Sequence, residues 1–177
     1  MNKHKKHPNP DLVDAIQHIV YEIWKYKQSV ADYRQLQRAG GDAAVEFRVL
    51  HHRVLLEFFY GPPKHPDNIV AWEYIDDWQQ THCAASVAWF DRYMKRCHTM
   101  LAHISTQRSE MAKLRREDWG ADWQIVEPHL DKTIREFVDG LSTEHRRVCL
   151  QWANQMRASN GVGCDVLDEL IAFIRPE

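Results

Sequence analysis

The chain has 177 residues, of which 44% are hydrophobic, so it is long enough for one domain with a single core and too short for two. Its 23 basic and 25 acidic side chains give a formal net charge of −2, which excludes a global attraction to nucleic acid or to an anionic membrane. No run approaches the roughly 20 apolar residues of a membrane-spanning helix. The four cysteines have no metal-binding spacing, and the first residues lack the apolar segment of a signal peptide. These features predict a cytoplasmic protein with free thiols, no metal, no cofactor and no membrane partner.

Residues 1–9 are basic and polar, which predicts a disordered tail before a single domain over 10–177. Asn9 is a candidate helix cap, with Pro10 at the first helical position and acidic residues in the first turn. Apolar residues then recur at steps of three and four as far as Gly40-Gly41. They are Leu12, Ile16, Ile19, Ile23, Tyr26, Val30 and Tyr33. The pattern predicts a long first helix.

A second helix is predicted from Asp42 to Tyr60, where Gly61-Pro62-Pro63 ends it. One apolar stripe contains Val45, Val49, His52, Leu56 and Phe59, and a second contains Phe47, Val54 and Phe58. A helix that is apolar on two sides is typical of the centre of a bundle. His52 is interpreted as a core histidine satisfied by one hydrogen bond, and a buried base or ligand is the alternative.

The rest of the chain also has helical spacing. A loop and one or two helical turns cover 61–82, where Trp72, Tyr74 and Trp78 are expected to pin the connection to the bundle. Helices are predicted from Ala84 to between Ser105 and Ser109, from Trp123 to Leu141 after Gly120, from a cap at Ser142 or Thr143 to Asn160, and from Asp165 to Ile174. No segment has the alternation of a strand. The fold class is an all-α, single-domain bundle of four or five main helices with a long first and an apolar central helix.

The segment Trp89 to Arg108 separates its residues by face when it is wound into a helix. A stripe expected to face the core contains Val87, Phe90, Met94, Cys97, Leu101 and Ile104. The opposite side carries Trp89, Arg92, Arg96, Thr99 and His103. Seven residues turn a helix by about 700°, so Arg96 and His103 align about 10 Å apart. This second face is the candidate site.

Arg96, six intervening residues and His103 resemble the signature of the HEPN superfamily, which consists of helical bundles with an Arg followed after four to six residues by a His. Many members are metal-independent ribonucleases. The resemblance implies that His103 acts as acid or base on an RNA 2′-hydroxyl or leaving oxygen, while Arg96 stabilises charge on the phosphate. It also implies self-association, since HEPN proteins generally pair these motifs across a dimer. Arg92 and His98 fit the same spacing.

Residues 43–108 also resemble a group of bacterial all-helical proteins that carries no activity to transfer. The resemblance is carried by LHHRVLLEFFYG, a loop, a short Trp/Tyr segment and LAHISTQR. The matching positions are Arg53, Phe58, Phe59, Trp72, Trp78, His98, Ala102, His103 and Arg108. Arg53, Arg92, His98 and Arg108 are therefore candidate binding residues beside the catalytic pair.

Two classes of function stay open: a HEPN-like RNA-binding or RNA-cleaving protein, and a non-enzymatic interaction module that forms a homodimer. A cleft with Arg96, Arg108 or Arg53 beside His103 favours the first class. A packed His103 bonded to a backbone carbonyl favours the second. A metal site from His51 or His52 with His98 and His103 is a third alternative, for which no carboxylate partner is suitably spaced.

Overall fold

The computed structural model describes residues 6–36, 41–62, 65, 67–102, 117–160 and 165–175. Within these ranges the chain forms seven α-helices and two single 3₁₀ turns, with no strand. The helices are α1 (Asn9–Leu36), α2 (Gly41–Tyr60), α3 (Trp78–Thr81), α4 (Phe90–Ala102), α5 (Glu117–Gly140), α6 (Thr143–Asn160) and α7 (Asp165–Ile174). The predicted all-α bundle with a long first helix is confirmed. The described ranges contain more helices than the four or five main ones predicted, and the two shortest, α3 and α7, correspond to the helical turns predicted within 61–82 and to the short helix predicted from Asp165 to Ile174.

Helix α1 begins at Asn9, because the backbone N–H groups of Asp11 and Leu12 both donate to the carbonyl of Pro8. Asn9 is thus the first helical residue rather than the cap, and its side-chain amide donates to Glu144 at 3.2 Å. The predicted seam is buried at Leu12, Ile16, Ile23 and Tyr26 and partly buried at Ile19, Val30 and Tyr33. Val20 and Trp24 add a second buried side. Helix α1 needs both sides because it packs between α2 and α6.

The stretch predicted as a disordered tail contains contacts from residue 6 onward. The backbone N–H of His7 donates to Glu73 Oε2 at 2.8 Å, and His7 Nδ1 lies 2.6 Å from the same oxygen. Lys6 Nζ is 3.3 Å from Asp76. Glu73 is buried although it is an acid, and the contacts from His7 explain why it can be. The chain before α1 is therefore tied to the connection between α2 and α3.

Helix α2 is the central helix, as predicted, since it packs against α1, α4 and the 3₁₀ turn Ala71–Glu73. The first predicted stripe is buried throughout, with Leu56 and His52 fully covered. The second stripe is only partly correct: Phe58 is buried, Val54 is half-buried and Phe47 is 37% exposed. Two sides of α2 are covered along its C-terminal half, whereas Phe47 lies in the N-terminal half, where one side remains open.

Large aromatic residues fix the connection after α2, as predicted. The indole N–H of Trp78 donates to the carbonyl of Phe59 at 2.8 Å, and the Tyr74 hydroxyl donates to the carbonyl of Leu12 at 3.1 Å. Phe137 of α5 packs edge-on against both aromatic rings. The connection therefore joins α1, α2 and α5 in one core.

Two predicted helix starts are wrong. The 3₁₀ turn Ala84–Ser86 precedes an extended Val87, so α4 starts at Phe90 and not at Ala84. Helix α5 starts at Glu117 and runs through Gly120, which was expected to stop it. A single glycine weakens a helix without ending it when neighbours pack, and Trp119 and Trp123 are both buried on either side of Gly120. The predicted end of α4, between Ser105 and Ser109, lies outside the described residues.

The C-terminal helices follow the predicted signals. The hydroxyl of Ser142 accepts the N–H of His145 at 3.2 Å, which is the predicted cap of α6. Helix α7 has the predicted bounds and buries Leu167, Leu170, Ile171 and Ile174. None of the helices in the described ranges is long and apolar enough to cross a membrane.

Replacing Gly120 by Ala is expected to raise the free energy of unfolding by about 0.5–1 kcal/mol. A Cβ added at Gly120 meets no atom within 4 Å, so the substitution adds no clash and restricts the unfolded chain. Urea unfolding followed by circular dichroism measures the change.

Gly140, at the other end of the same helix, provides the matched control. A Cβ there would lie 2.7 Å from Ile75 Cδ1, so Ile75 must move and Gly140→Ala should give no stabilisation. A less stable Gly120→Ala protein would contradict the helical environment of Gly120.

Candidate functional site

Helix α4 carries the predicted site, and its buried side confirms the predicted core stripe. Val87, Phe90, Met94 and Cys97 are buried and Leu101 is partly buried, whereas Ile104 lies outside the described residues. Tyr93 is buried as well. Burial raises the pKa of the Cys97 thiol to about 12, so Cys97 is a packing residue rather than a nucleophile.

Arg92 and Arg96 extend from α4 to one carboxylate on α5. Arg92 Nη2 lies 3.2 Å from Asp122 Oδ1, and Arg96 Nη1 pairs with Asp122 Oδ2. The guanidinium carbon of Arg96 is 4.2 Å from the centre of the Trp119 ring, a cation–π contact. Both arginines therefore contact the same carboxylate. The Arg92 side chain is 67% exposed, the Arg96 side chain 22%.

Arg53 and His98 form a separate group on the other side of α4. Both face Glu57 of α2: Arg53 Nε lies 3.5 Å and His98 Nε2 3.4 Å from Glu57 Oε1. The pairing of Arg53 and Glu57 follows from their i,i+4 spacing. The structure therefore divides the candidate residues into a pair at Asp122 and a pair at Glu57. His103 and Arg108 lie outside the described residues.

His52 is a core histidine, as interpreted from the sequence, but it has more than one polar neighbour. Its Nδ1 is 2.5 Å from the Tyr93 hydroxyl, and its Nε2 is 3.5 Å from Glu127 Oε1. Burial lowers the pKa of His52 well below its ordinary value, with the Arg48 cation acting in the same direction. Neutral His52 and the Tyr93 hydroxyl therefore share one buried hydrogen bond.

Of the histidines considered for a metal site, His51, His52 and His98 each have a different partner, and His103 lies outside the described residues. His51 Nδ1 lies 2.7 Å from Glu22 Oε2, while His52 is bonded to Tyr93 and His98 faces Glu57. Across the described part of the chain, no three His, Cys, Asp or Glu side chains are arranged to hold a metal ion. His51, His52 and His98 each have a partner in the fold.

A second polar cluster lies where α5 meets the N-terminal end of α4. His129 Nε2 is 2.7 Å from the Tyr60 hydroxyl, which is also 2.7 Å from Thr133 Oγ1. Trp89 packs edge-to-face against the His129 ring at 5.3 Å. Burial and the neighbouring Lys132 cation lower the pKa of His129. The outward position predicted for Trp89 therefore places it beside a neutral histidine.

Sequence reasoning missed the α5 residues of both clusters. Asp122 and His129 share a helix face at a spacing of seven residues, but that spacing alone marks an ordinary solvated face. Their function as partners of α4 depends on how two distant helices pack. Trp119 and Asp122 are three residues apart and so lie on one side of α5. An aromatic ring next to a carboxylate was the local signal that this side faces a cation.

We expect the free energy of unfolding to decrease as the pH falls below about 6.5. Burial lowers the pKa of His52, His129 and His145 in the folded protein, whereas an unfolded chain titrates them near 6.5. Below pH 6.5 the unfolded state therefore binds more protons than the folded state. The stability contributed by these histidines is fully present above pH 6.5 and is lost as the pH falls toward their pKa values in the folded protein. Each histidine contributes at most about 1.4 kcal/mol per pH unit. Urea unfolding at about pH 7.5 and about pH 5.5 measures the difference.

His145→Gln is the matching variant. It removes one of the three titrating histidines, the one at the start of α6. Its free energy of unfolding should depend less on pH than that of the unmodified chain. Equal stability of the unmodified protein at the two pH values would contradict neutral burial of these histidines.

Comparison of the chain with protein-family models, with curated proteins and with solved structures found no match.

Proposed function

We propose that this protein is a HEPN-like, cytoplasmic, RNA-binding protein that cleaves RNA without a metal, with Arg96 and His103 as the reacting pair. The observation that carries the proposal is the convergence of Arg92 and Arg96 on Asp122, which places two guanidinium groups together on one side of α4, with the Arg92 side chain 67% exposed. An RNA phosphate is an anion that such a site attracts. His103 follows Ala102 in the sequence and lies outside the described residues.

The chemistry assigned to the pair balances without a further reagent. The RNA 2′-oxygen forms a bond to the adjacent phosphorus, the bond from phosphorus to the 5′-oxygen breaks, and the products are a 2′,3′-cyclic phosphate and a 5′-hydroxyl. His103 either accepts the 2′-hydroxyl proton or donates a proton to the leaving 5′-oxygen, and water takes up or supplies the other proton. Arg96 stabilises the charge that develops on the phosphate oxygens.

Asp122 and Trp119 position the Arg96 guanidinium in this proposal. Asp122 pairs with Arg96 Nη1, and the guanidinium carbon lies over the Trp119 ring. A planar fork whose orientation is fixed loses less entropy when it binds a phosphate. These two residues act through Arg96 and do not touch the substrate.

The remaining candidate residues would contact the strand rather than react. Arg92 lies beside Arg96 and is positioned for a neighbouring phosphate. Arg53 and His98 lie at Glu57 on the other side of α4, where they would contact a different part of the RNA. Arg108, which lies outside the described residues, is proposed as a further RNA contact. A second copy of the chain, paired through the outward side of α4, would bring two such sites together.

Incubation of the purified protein with single-stranded RNA in excess EDTA tests the proposal. Cleavage should continue, because the proposed reaction uses only protein groups, and the products should end in 2′,3′-cyclic phosphate. Binding should weaken with rising salt, since each neutralised phosphate releases counterions. Absence of both binding and cleavage at low salt would contradict the proposal.

A non-enzymatic, homodimeric interaction module is the second candidate function. It is favoured by Phe47 and Leu50, which lie i,i+3 on α2 and are 37% and 41% exposed. Light scattering should then give twice the mass of the chain, and Leu50→Glu should reduce it to one chain. A monomer that cleaves RNA would decide against this candidate.

A further inference from the structure

Helices α4 and α5 run antiparallel along a seam that extends beyond the arginine cluster. Arg96 meets Asp122 near one end of the seam, whereas Trp89 meets His129 near the other end. Asp122, Ile125 and His129 share one face of α5, and Ile125 is 50% exposed. Cationic, apolar and aromatic groups therefore follow one another along the seam. This combination is typical of sites that bind single-stranded nucleic acid.

The hydrogen bonds around His129 determine where its proton lies. Thr133 Oγ1 donates its single proton to the carbonyl of His129 at 2.9 Å. The Tyr60 hydroxyl, 2.7 Å from Thr133 Oγ1, must then donate to Thr133. Tyr60 in turn accepts a proton from His129 Nε2, at 2.7 Å. The Nδ1 atom of neutral His129 is left as a hydrogen-bond acceptor.

The surroundings keep His129 in this neutral form at neutral pH. Burial lowers the pKa of His129, the Lys132 cation and His82 lower it further, and the Glu136 carboxylate acts in the opposite direction. Trp89 packs edge-to-face on the ring, with an angle of 88° between the two planes. The acceptor is thus held in a defined orientation beside a half-buried indole.

We propose that Trp89 and His129 form a nucleobase subsite, in which the base packs on the Trp89 indole and its exocyclic amino group donates to His129 Nδ1. Arg92, one turn from Trp89 and exposed, holds the adjacent phosphate. Adenine, cytosine and guanine carry such an amino group and uracil does not. The subsite gives the proposed RNA function, on which it rests, a preference against uracil.

Fluorescence anisotropy with labelled 2′-O-methyl oligonucleotides of about ten nucleotides at about 50 mM salt tests this subsite. The 2′-O-methyl group prevents cleavage, so binding is measured alone. Oligo(C) should bind about 2- to 12-fold more tightly than oligo(U), the effect of one hydrogen bond between two pyrimidines of equal size. Trp89→Leu should weaken oligo(C) binding about 5- to 150-fold.

Trp152→Leu is the matched control, because Trp152 is also half-buried and packs edge-to-face with Tyr21 and Trp24, away from the seam. His129→Leu should make oligo(C) and oligo(U) bind equally. Nitrogen-15 NMR of the unmodified protein provides a second test, which does not depend on the folding of any variant. It should show His129 protonated at Nε2, and protonation at Nδ1 alone would overturn the subsite.

The outcomes separate the subsite from the proposed function. Equal binding of oligo(C) and oligo(U), or equal losses in Trp89→Leu and Trp152→Leu, overturns the subsite even if RNA is bound and cleaved. If no oligonucleotide binds at low salt and RNA is not cleaved, the proposed function fails and the subsite fails with it. Tighter binding of oligo(C) than of oligo(U) that disappears in His129→Leu supports the subsite and the RNA binding on which it rests.

Discussion

Replacement of His103 by Ala is expected to lower the rate of RNA cleavage by about 10²–10⁴-fold, the usual contribution of a positioned acid or base. Water cannot replace the imidazole, because it is neither held in place nor matched in pKa to the proton transfer. The rate should be measured with excess protein over a single labelled RNA, so that product release does not limit it. RNA binding by the variant should change little.

Arg96→Lys should retain part of the activity. Lysine keeps the positive charge at Asp122 but loses the planar fork and the contact with the Trp119 ring. His98→Ala, at Glu57 on the other side of α4, should change stability more than rate. A different result would contradict this function: the His103→Ala protein melts several degrees lower, and the unmodified protein neither binds nor cleaves RNA at low salt. His103 would then have a structural function, and the interaction module would be favoured.

The helices were predictable where apolar spacing and an end signal occur together. In α7 the four buried residues and the bounding residues agree with the sequence pattern. Helix α2 ends at Tyr60 because Gly61 and Pro62 follow it. Each of these predictions concerns interactions within about ten residues, so the local sequence contains the information.

The wrong helix starts have a different cause. Nothing local distinguishes Ala84 as the start of a helix from Ala84 as the start of a single 3₁₀ turn. Gly120 predicts a break before the helix, because glycine has a low helix propensity. Packing of Trp119 and Trp123 against the bundle outweighs the cost of one glycine, about 1 kcal/mol.

The sequence predicts which side of α4 the candidate residues lie on, but not which residues of other helices they contact. Spacing placed Arg92 and Arg96 on one side of α4, and both indeed meet Asp122. Helical periodicity gives the direction of a side chain around its own axis only. It could not show that His98 lies apart from Arg96 with Glu57, or that α5 supplies the carboxylate.

Glu127→Gln is expected to lower the free energy of unfolding by about 3–5 kcal/mol, the usual cost of breaking a buried ion pair. Arg48 of α2, whose side chain is 6% exposed, pairs with Glu127 of α5, 79 residues away in sequence. Its guanidinium carbon lies 3.9 Å from the centre of the Trp123 ring. Without the carboxylate, the Arg48 charge remains buried among aromatic groups and no longer has its counter-ion.

The exposed pair of Arg157 and Asp168, 2.6 Å apart with side chains 53% and 46% exposed, is the control. Asp168→Asn should cost no more than about 1 kcal/mol, because water replaces the lost partner. The double variant Arg48→Met, Glu127→Leu should recover most of the stability, since it removes both buried charges and keeps the volume. If Glu127→Gln costs as little as Asp168→Asn in urea unfolding, the Arg48 charge is hydrated and this pair does not join α2 to α5.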